Sequence, residues 1–269
     1  MKAAVIQMTS GRNPVENFEN AKALIEQAHQ GGARLVVLPE MFACIGVVNQ
    51  VMLAETYFSK DKIEHTIGVW AKEYNLYIVA GSVPYISPCS DKVFSACFVF
   101  SPEGEIVSQY NKIHLFDVSV DDEKGSYKES NTFLAGDSEV IAEIDDQKLG
   151  LSICYDLRFP ELFQAYQKAG CGLITVPSAF TYQTGKQHWE ILLRARAIET
   201  QSFVLAANQS GTHEDGRKTW GHSMIVSPQG EVLAEVKEDG PGVAMAKLDF
   251  ISMAAFRAAM PLQQHKRLS

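Results

Sequence analysis

No disulfide framework is written into this chain. Its 5 cysteines are odd in number and none sits in a C-x-x-C pair, which points to free thiols in a reducing compartment. An excess of basic residues is also missing. Lys and Arg total 24 against 32 Asp and Glu, for a formal net charge of -8, and such a balance argues against nucleic acid and anionic membranes as partners. No apolar run approaches the roughly 20 residues that span a bilayer. The opening MKAAVIQMTS is too short an apolar run for a secretory leader and reads as a first strand. These readings predict a cytoplasmic protein.

Several catalytic signatures are missing too. There is no G-x-G-x-x-G after a strand, no Walker loop, no G-x-S-x-G elbow and no H-E-x-x-H. The 7 histidines are scattered and form no short-range pair of ligand type. The stretch THEDGR lacks a second histidine a turn after Glu214. Nucleotide, metal and serine-hydrolase chemistry therefore find no support, and no cofactor is expected.

What is present is a repeated alternation. KAAVIQM is apolar as a buried strand is. Val15, Phe18, Ala21, Leu24, Ile25 and Ala28 follow at helical spacing, and Gly31-Gly32 can cap that helix. RLVVLPEMF is a second strand ended by Pro39, so the unit is β-α-β with parallel strands. IEHTIGVWAKEYN reads as a helix and LYIVAGSVPY as one strand. KVFSACFVFSPEGEIVSQYNK and HSMIVSPQGEVLAEV each read as two strands around a Pro-x-Gly turn. KLGLSICYD is a strand, FPELFQAYQKAG a helix, CGLITVPSAF a strand, HWEILLRARAIETQ a helix, and SFVLAANQS and GVAMAKLD are strands. The fold class is α/β, with mixed sheets and helices outside. No composition shift or linker interrupts the chain, so residues 1–269 are read as one domain. SVDDEKGSYKESN is the most polar loop, the kind of segment that often carries function on a rigid scaffold.

Two strands end on reactive side chains. LVVLPE delivers Glu40 and GLSIC delivers Cys154, and ligands gather at the carboxyl ends of strands in open α/β sheets. A helix cap for Glu40 and a packed small hydrophobe for Cys154 are the competing readings, since free cysteine is among the most buried residue types.

Three segments together, LVVLPEMF, YNKIHLFD and ICYDLRFPEL, resemble the nitrilase or carbon-nitrogen hydrolase superfamily. The order Glu40, Lys112, Cys154 matches that family's catalytic triad. The similarity extends through AGSVP, KESNTFLAGD, PSAF, HWEILLRARAIET and GHSMIVSPQGEV, nearly the whole chain. It implies a four-layer α-β-β-α sandwich and no cofactor. KIHLFDV, KESN and HWEILLRARAIETQ are similar to the Nit1-type branch of deaminated glutathione amidases. The neighbouring Nit2-type branch of 2-oxoglutaramate ω-amidases and the N-carbamoyl amino acid hydrolases are the alternatives. Outside enzymes, the alternative is a catalytically silent binding protein that keeps the fold.

The resemblance assigns roles. Cys154 is the nucleophile, Glu40 its base and later the acid for the leaving amine, and Lys112 the partner of the oxyanion beside a backbone N–H near Tyr155. Glu129 in KESN helps to position lysine and substrate. Arg158 suits a substrate carboxylate, with an ion pair to Asp156 or Glu161 as its competing role. Phe180 and Thr184 correspond to pocket positions. His114 has no catalytic counterpart and is expected to orient or pack. The expected partners are a small-molecule amide and other copies of the chain, in a homodimer or larger even homo-oligomer.

Overall fold

The computed structural model describes residues 1–119 and 125–267. The centre of the polar loop, residues 120–124, lies outside the described residues.

The first strand, Lys2–Gln7, runs parallel to Leu35–Val37, which runs parallel to Tyr77–Val79. Gly242–Lys247 closes one side antiparallel, and the strands Val93–Phe100, Val83–Ile86, Ile106–Asn111 and Phe133–Leu134 extend the other. A second sheet repeats the device. Gln147–Leu151, Leu173–Thr175 and Phe203–Ala206 are parallel, and Ile141–Ile144, Met224–Val226 and Val232–Glu235 flank them antiparallel.

Strand alternation builds the layers, because successive side chains face opposite sides of a sheet. Ala3, Val5, Leu35, Val37 and Val79 pack with Leu149, Leu151 and Leu173 of the second sheet. Their neighbours Ala4, Ile6, Val36 and Ile78 face the other way, onto Ala21, Ile25 and Ala28 of the helix Pro14–Gln30. The helices Pro160–Lys168 and Tyr182–Thr200 contribute Phe163, Tyr166, Leu193 and Ala197 to the core of the second sheet. The result is the α-β-β-α sandwich.

Some elements differ from the sequence reading. LYIVAGSVPY is two strands, broken where Gly81 takes φ +49 and its Cα faces the Pro39 carbonyl so closely that a Cβ would lie 1.9 Å from that oxygen. The helix expected over IEHTIGVWAKEYN begins earlier, at Lys60, and carries a π-helical turn at Glu64–Gly68. The helices Gln50–Tyr57, Phe250–Ala259 and Leu262–His265 go unmarked by the sequence patterns. Among the described residues no helix is long and apolar enough to cross a membrane.

Candidate active site

Both reactive strands stop three residues early. Leu35–Val37 ends before Glu40, and Gln147–Leu151 before Cys154. Glu40 and Cys154 sit on connections, not in the sheets. Cys154 opens a 3-10 turn, Cys154–Arg158, with φ +48, a left-handed conformation that costs a non-glycine residue roughly 1–2 kcal/mol. Its N–H donates to the Pro177 carbonyl at 2.8 Å. The Tyr155 N–H, at the open end of that turn, has no acceptor among the described residues.

Lys112 follows the strand Ile106–Asn111 directly, and its backbone is tied to Ser95 and Gly136. Its ammonium donates to Glu40 Oε1 at 2.8 Å and to Glu129 Oε1 and Oε2 at 3.0 and 2.9 Å. The second Glu40 oxygen accepts the Ala179 N–H at 2.9 Å, and Glu129 Oε2 accepts the Phe116 N–H at 2.7 Å. Gln209 Nε2 donates to the Glu40 carbonyl at 3.1 Å. Each carboxylate is thus held by a lysine and a backbone amide.

Electrostatics follow from this enclosure. Burial by itself lowers the Lys112 pKa, but Glu129 and Glu40 outweigh it and hold the ammonium well above its ordinary value. Burial pushes the Cys154 thiol well above its usual range, the Glu40 charge adds to that, and Lys112 opposes it. The resting group is therefore a neutral thiol beside an ion-paired lysine. Burial also raises the Glu129 pKa, against the pull of Lys112.

Asp156 is fully buried and ties three segments together. It accepts from Tyr110 Oη at 2.7 Å, from the His114 amide and Nδ1 at 3.0 and 2.7 Å, and from the Ile153 N–H at 2.8 Å. His114 stacks on Phe159 at 3.6 Å. This fits its expected packing role. One carboxylate so links the segment after Lys112 to the turn that carries Cys154.

Arg158 does not make the internal ion pair weighed as its competing role. Asp156 is occupied elsewhere, and among the described residues Arg158 has no carboxylate partner. Its Nη1 instead donates to His188 Nδ1 at 3.2 Å, and its guanidinium lies over the rings of Phe180 and Tyr155 at 5.2 and 5.9 Å.

All eight residues singled out from the sequence line one cavity of about 1200 Å³: Glu40, Lys112, Glu129, Cys154, Tyr155, Arg158, Phe180 and Thr184. The Thr184 hydroxyl bonds the Thr181 hydroxyl at 2.7 Å. Met41, Phe116, Tyr127 and Arg217 also line it and carried no local signal in the sequence. Trp189 is fully buried, with its indole N–H on the His222 carbonyl at 2.8 Å. Among the described residues no three His, Cys, Asp or Glu side chains are grouped to hold a metal.

A family model described as carbon-nitrogen hydrolase matches residues 2–258. The chain belongs to the carbon-nitrogen hydrolase family. A deaminated glutathione amidase of Yersinia enterocolitica is 37% identical over 98% of this chain and 92% of its own length. An omega-amidase NIT2 of Xenopus tropicalis is 39% identical over 94% of this chain and 90% of its own. The crystal structure of the C. elegans NitFhit protein superposes with a TM-score of 0.91 at 36% identity, covering 99% of this chain and 65% of that longer one. Identity to this carbon-nitrogen hydrolase does not separate the two names of its relatives.

Proposed function

We propose that the protein is a cysteine-dependent amidase that hydrolyses a small carboxylate-bearing linear amide, deaminated glutathione foremost, through a thioester. The observation that carries this reading is the meeting of Cys154, Glu40 and Lys112 in one cavity, from positions far apart in the chain.

Cys154 Sγ attacks the amide carbon while Glu40 takes the thiol proton, because a thiol held neutral by burial needs a base at the moment of attack. The oxyanion forms beside the Lys112 ammonium and the Tyr155 N–H, donors that need no reorganisation. Collapse breaks the C–N bond, and Glu40 delivers its proton to the departing nitrogen. Water then attacks the thioester, its proton passes to Glu40, and the C–S bond breaks to return the thiol. Glu129 holds Lys112 in place throughout. Arg158, without a carboxylate partner among the described residues and flanked by Tyr155 and Phe180, receives a carboxylate on the acyl side, with Thr184 at the same end.

A relative named omega-amidase at 39% identity supports 2-oxoglutaramate as the second reading. Five free thiols support a reducing, cytoplasmic compartment. Exposed Ile191 and Ile198 on the helix Tyr182–Thr200 support a homodimer or larger even assembly, which sedimentation would measure. The deciding experiment is kinetics on deaminated glutathione, 2-oxoglutaramate and N-carbamoyl amino acids. Mass spectrometry of an acyl adduct on Cys154 accompanies it. A pure protein that turns over none of them and traps no adduct would be a silent binding protein.

A further inference from the structure

A second arginine stands at the same cavity, and the roles above leave it unused. Arg217 leaves the turn of the hairpin Ser210–Thr212 and Lys218–Trp220. Its side chain is only 15% exposed. Among the described residues one ion pair holds it, Nη2 to Asp215 Oδ2 at 3.3 Å. Among the described residues its Nη1 meets only the Met41 sulfur at 3.8 Å, a weak acceptor, and its buried Nε has no hydrogen-bond partner. A mostly covered guanidinium with five N–H groups is normally better satisfied than this.

Its neighbours locate it. Met41 follows the base Glu40 in the chain, and the Tyr127 ring, 5.8 Å from the guanidinium, comes two residues before Glu129. Arg158 lies instead over Tyr155 and Phe180. The two guanidinium groups therefore approach the cavity from different walls, one by the nucleophile turn and one by the base. Arg12 also lines the cavity, and its Nε and the Asp215 side chain both lie against Gly46.

We infer that Arg217 is a specificity-determining residue that binds a carboxylate on the leaving-group side of the scissile C–N bond, so that the preferred substrate carries a carboxylate on each side of that bond. This rests on the amidase reading above and deepens it. A guanidinium matches a carboxylate with two parallel hydrogen bonds, and a cavity of about 1200 Å³ exceeds what a short amide releasing only ammonia would fill.

The test compares deaminated glutathione, which has both carboxylates, with 2-oxoglutaramate, which has only the acyl-side one, in the wild type and in Arg217→Met and Arg217→Lys. The expected result is a fall of about tenfold to a hundredfold in the ratio of the two kcat/KM values for Arg217→Met, carried by KM, with Arg217→Lys falling less. An equal change on both amides, or none, overturns the inference, as does a wild type that hydrolyses only the short amide. A wild type that hydrolyses neither removes the amidase reading itself. The short-amide rate of each variant reports that it is folded.

Discussion

Lys112 Nζ lies 2.8 Å from Glu40 Oε1, and that lysine side chain is only 2% exposed. In its proposed role as base, Glu40 gains a proton without leaving the buried cation unpaired, because Glu129 stays bound to it. Removing the cation leaves two carboxylates buried without a counter-charge. Lys112→Met should therefore cost about 3–5 kcal/mol of stability and slow turnover by roughly a hundred- to a thousandfold or more. Urea denaturation and single-turnover rates measure the two losses. Lys112→Arg should not restore the rate, since a planar fork does not fit where one point charge serves two carboxylates.

The left-handed backbone at Cys154 gives a separate test. The thiol is displayed by a strained residue at the start of its turn, with φ +48. Cys154→Ala should fold and be inactive. Cys154→Gly should also be inactive but more stable than the alanine variant by about 1 kcal/mol, because glycine adopts this conformation without a Cβ clash. Thermal melting of the pair reads the difference directly. A glycine variant that melts below the alanine variant would mean the tip holds no strain.

How much of this was legible beforehand follows from which signals are local. The continuous apolar run in KAAVIQM and the Pro-x-Gly turns mark strands without reference to the rest of the chain, and they fall where the patterns put them. The resemblance put forward Glu40, Lys112 and Cys154 as a set, while their approach was not legible, because it depends on two sheets packing face to face. The strands stop short of the reactive side chains: Leu38 and Ile153 continue the apolar runs, yet the ladders end at Val37 and Leu151, ahead of Pro39 and the left-handed Cys154. Arg217 and Met41 were invisible for the opposite reason. Their importance lies in neighbours contributed by distant segments.

Asp156 shows the same non-locality and carries the next prediction. Its two oxygens serve Tyr110, His114 and the Ile153 amide with no exposure to water. Asp156→Asn keeps the size but replaces one acceptor with a donor, so at least one buried donor loses its partner. Each such loss costs about 1–3 kcal/mol. The variant should be less stable by about 3 kcal/mol. It should also lose kcat more than it raises KM, because the segment behind Lys112 and the turn of Cys154 are no longer held in register. Denaturation and steady-state kinetics on the same preparation test both parts.

The last prediction concerns acid. His213 is buried, its Nδ1–H donates to the Ser10 carbonyl at 2.9 Å, and its Nε2 accepts from the Thr219 hydroxyl at 2.7 Å. This pattern needs the neutral ring, and burial lowers the His213 pKa below its ordinary value. The unfolded chain then binds the proton more readily than the folded one. Stability from this site is fully present above about pH 6.5, and it is lost as pH falls through the lower folded value. The loss is at most about 1.4 kcal/mol per pH unit for one proton. In His213→Asn the amide can still donate to Ser10 but has no titration, so the variant should be less stable than wild type at pH 7.5 and show a shallower decline towards pH 5. Melting curves across that range measure both slopes. Because His213 fastens the hairpin of Arg217 to the loop at Ser10, the same acid range should weaken binding of two-carboxylate amides before the protein unfolds. If the two slopes are equal, the acid loss must come from other groups.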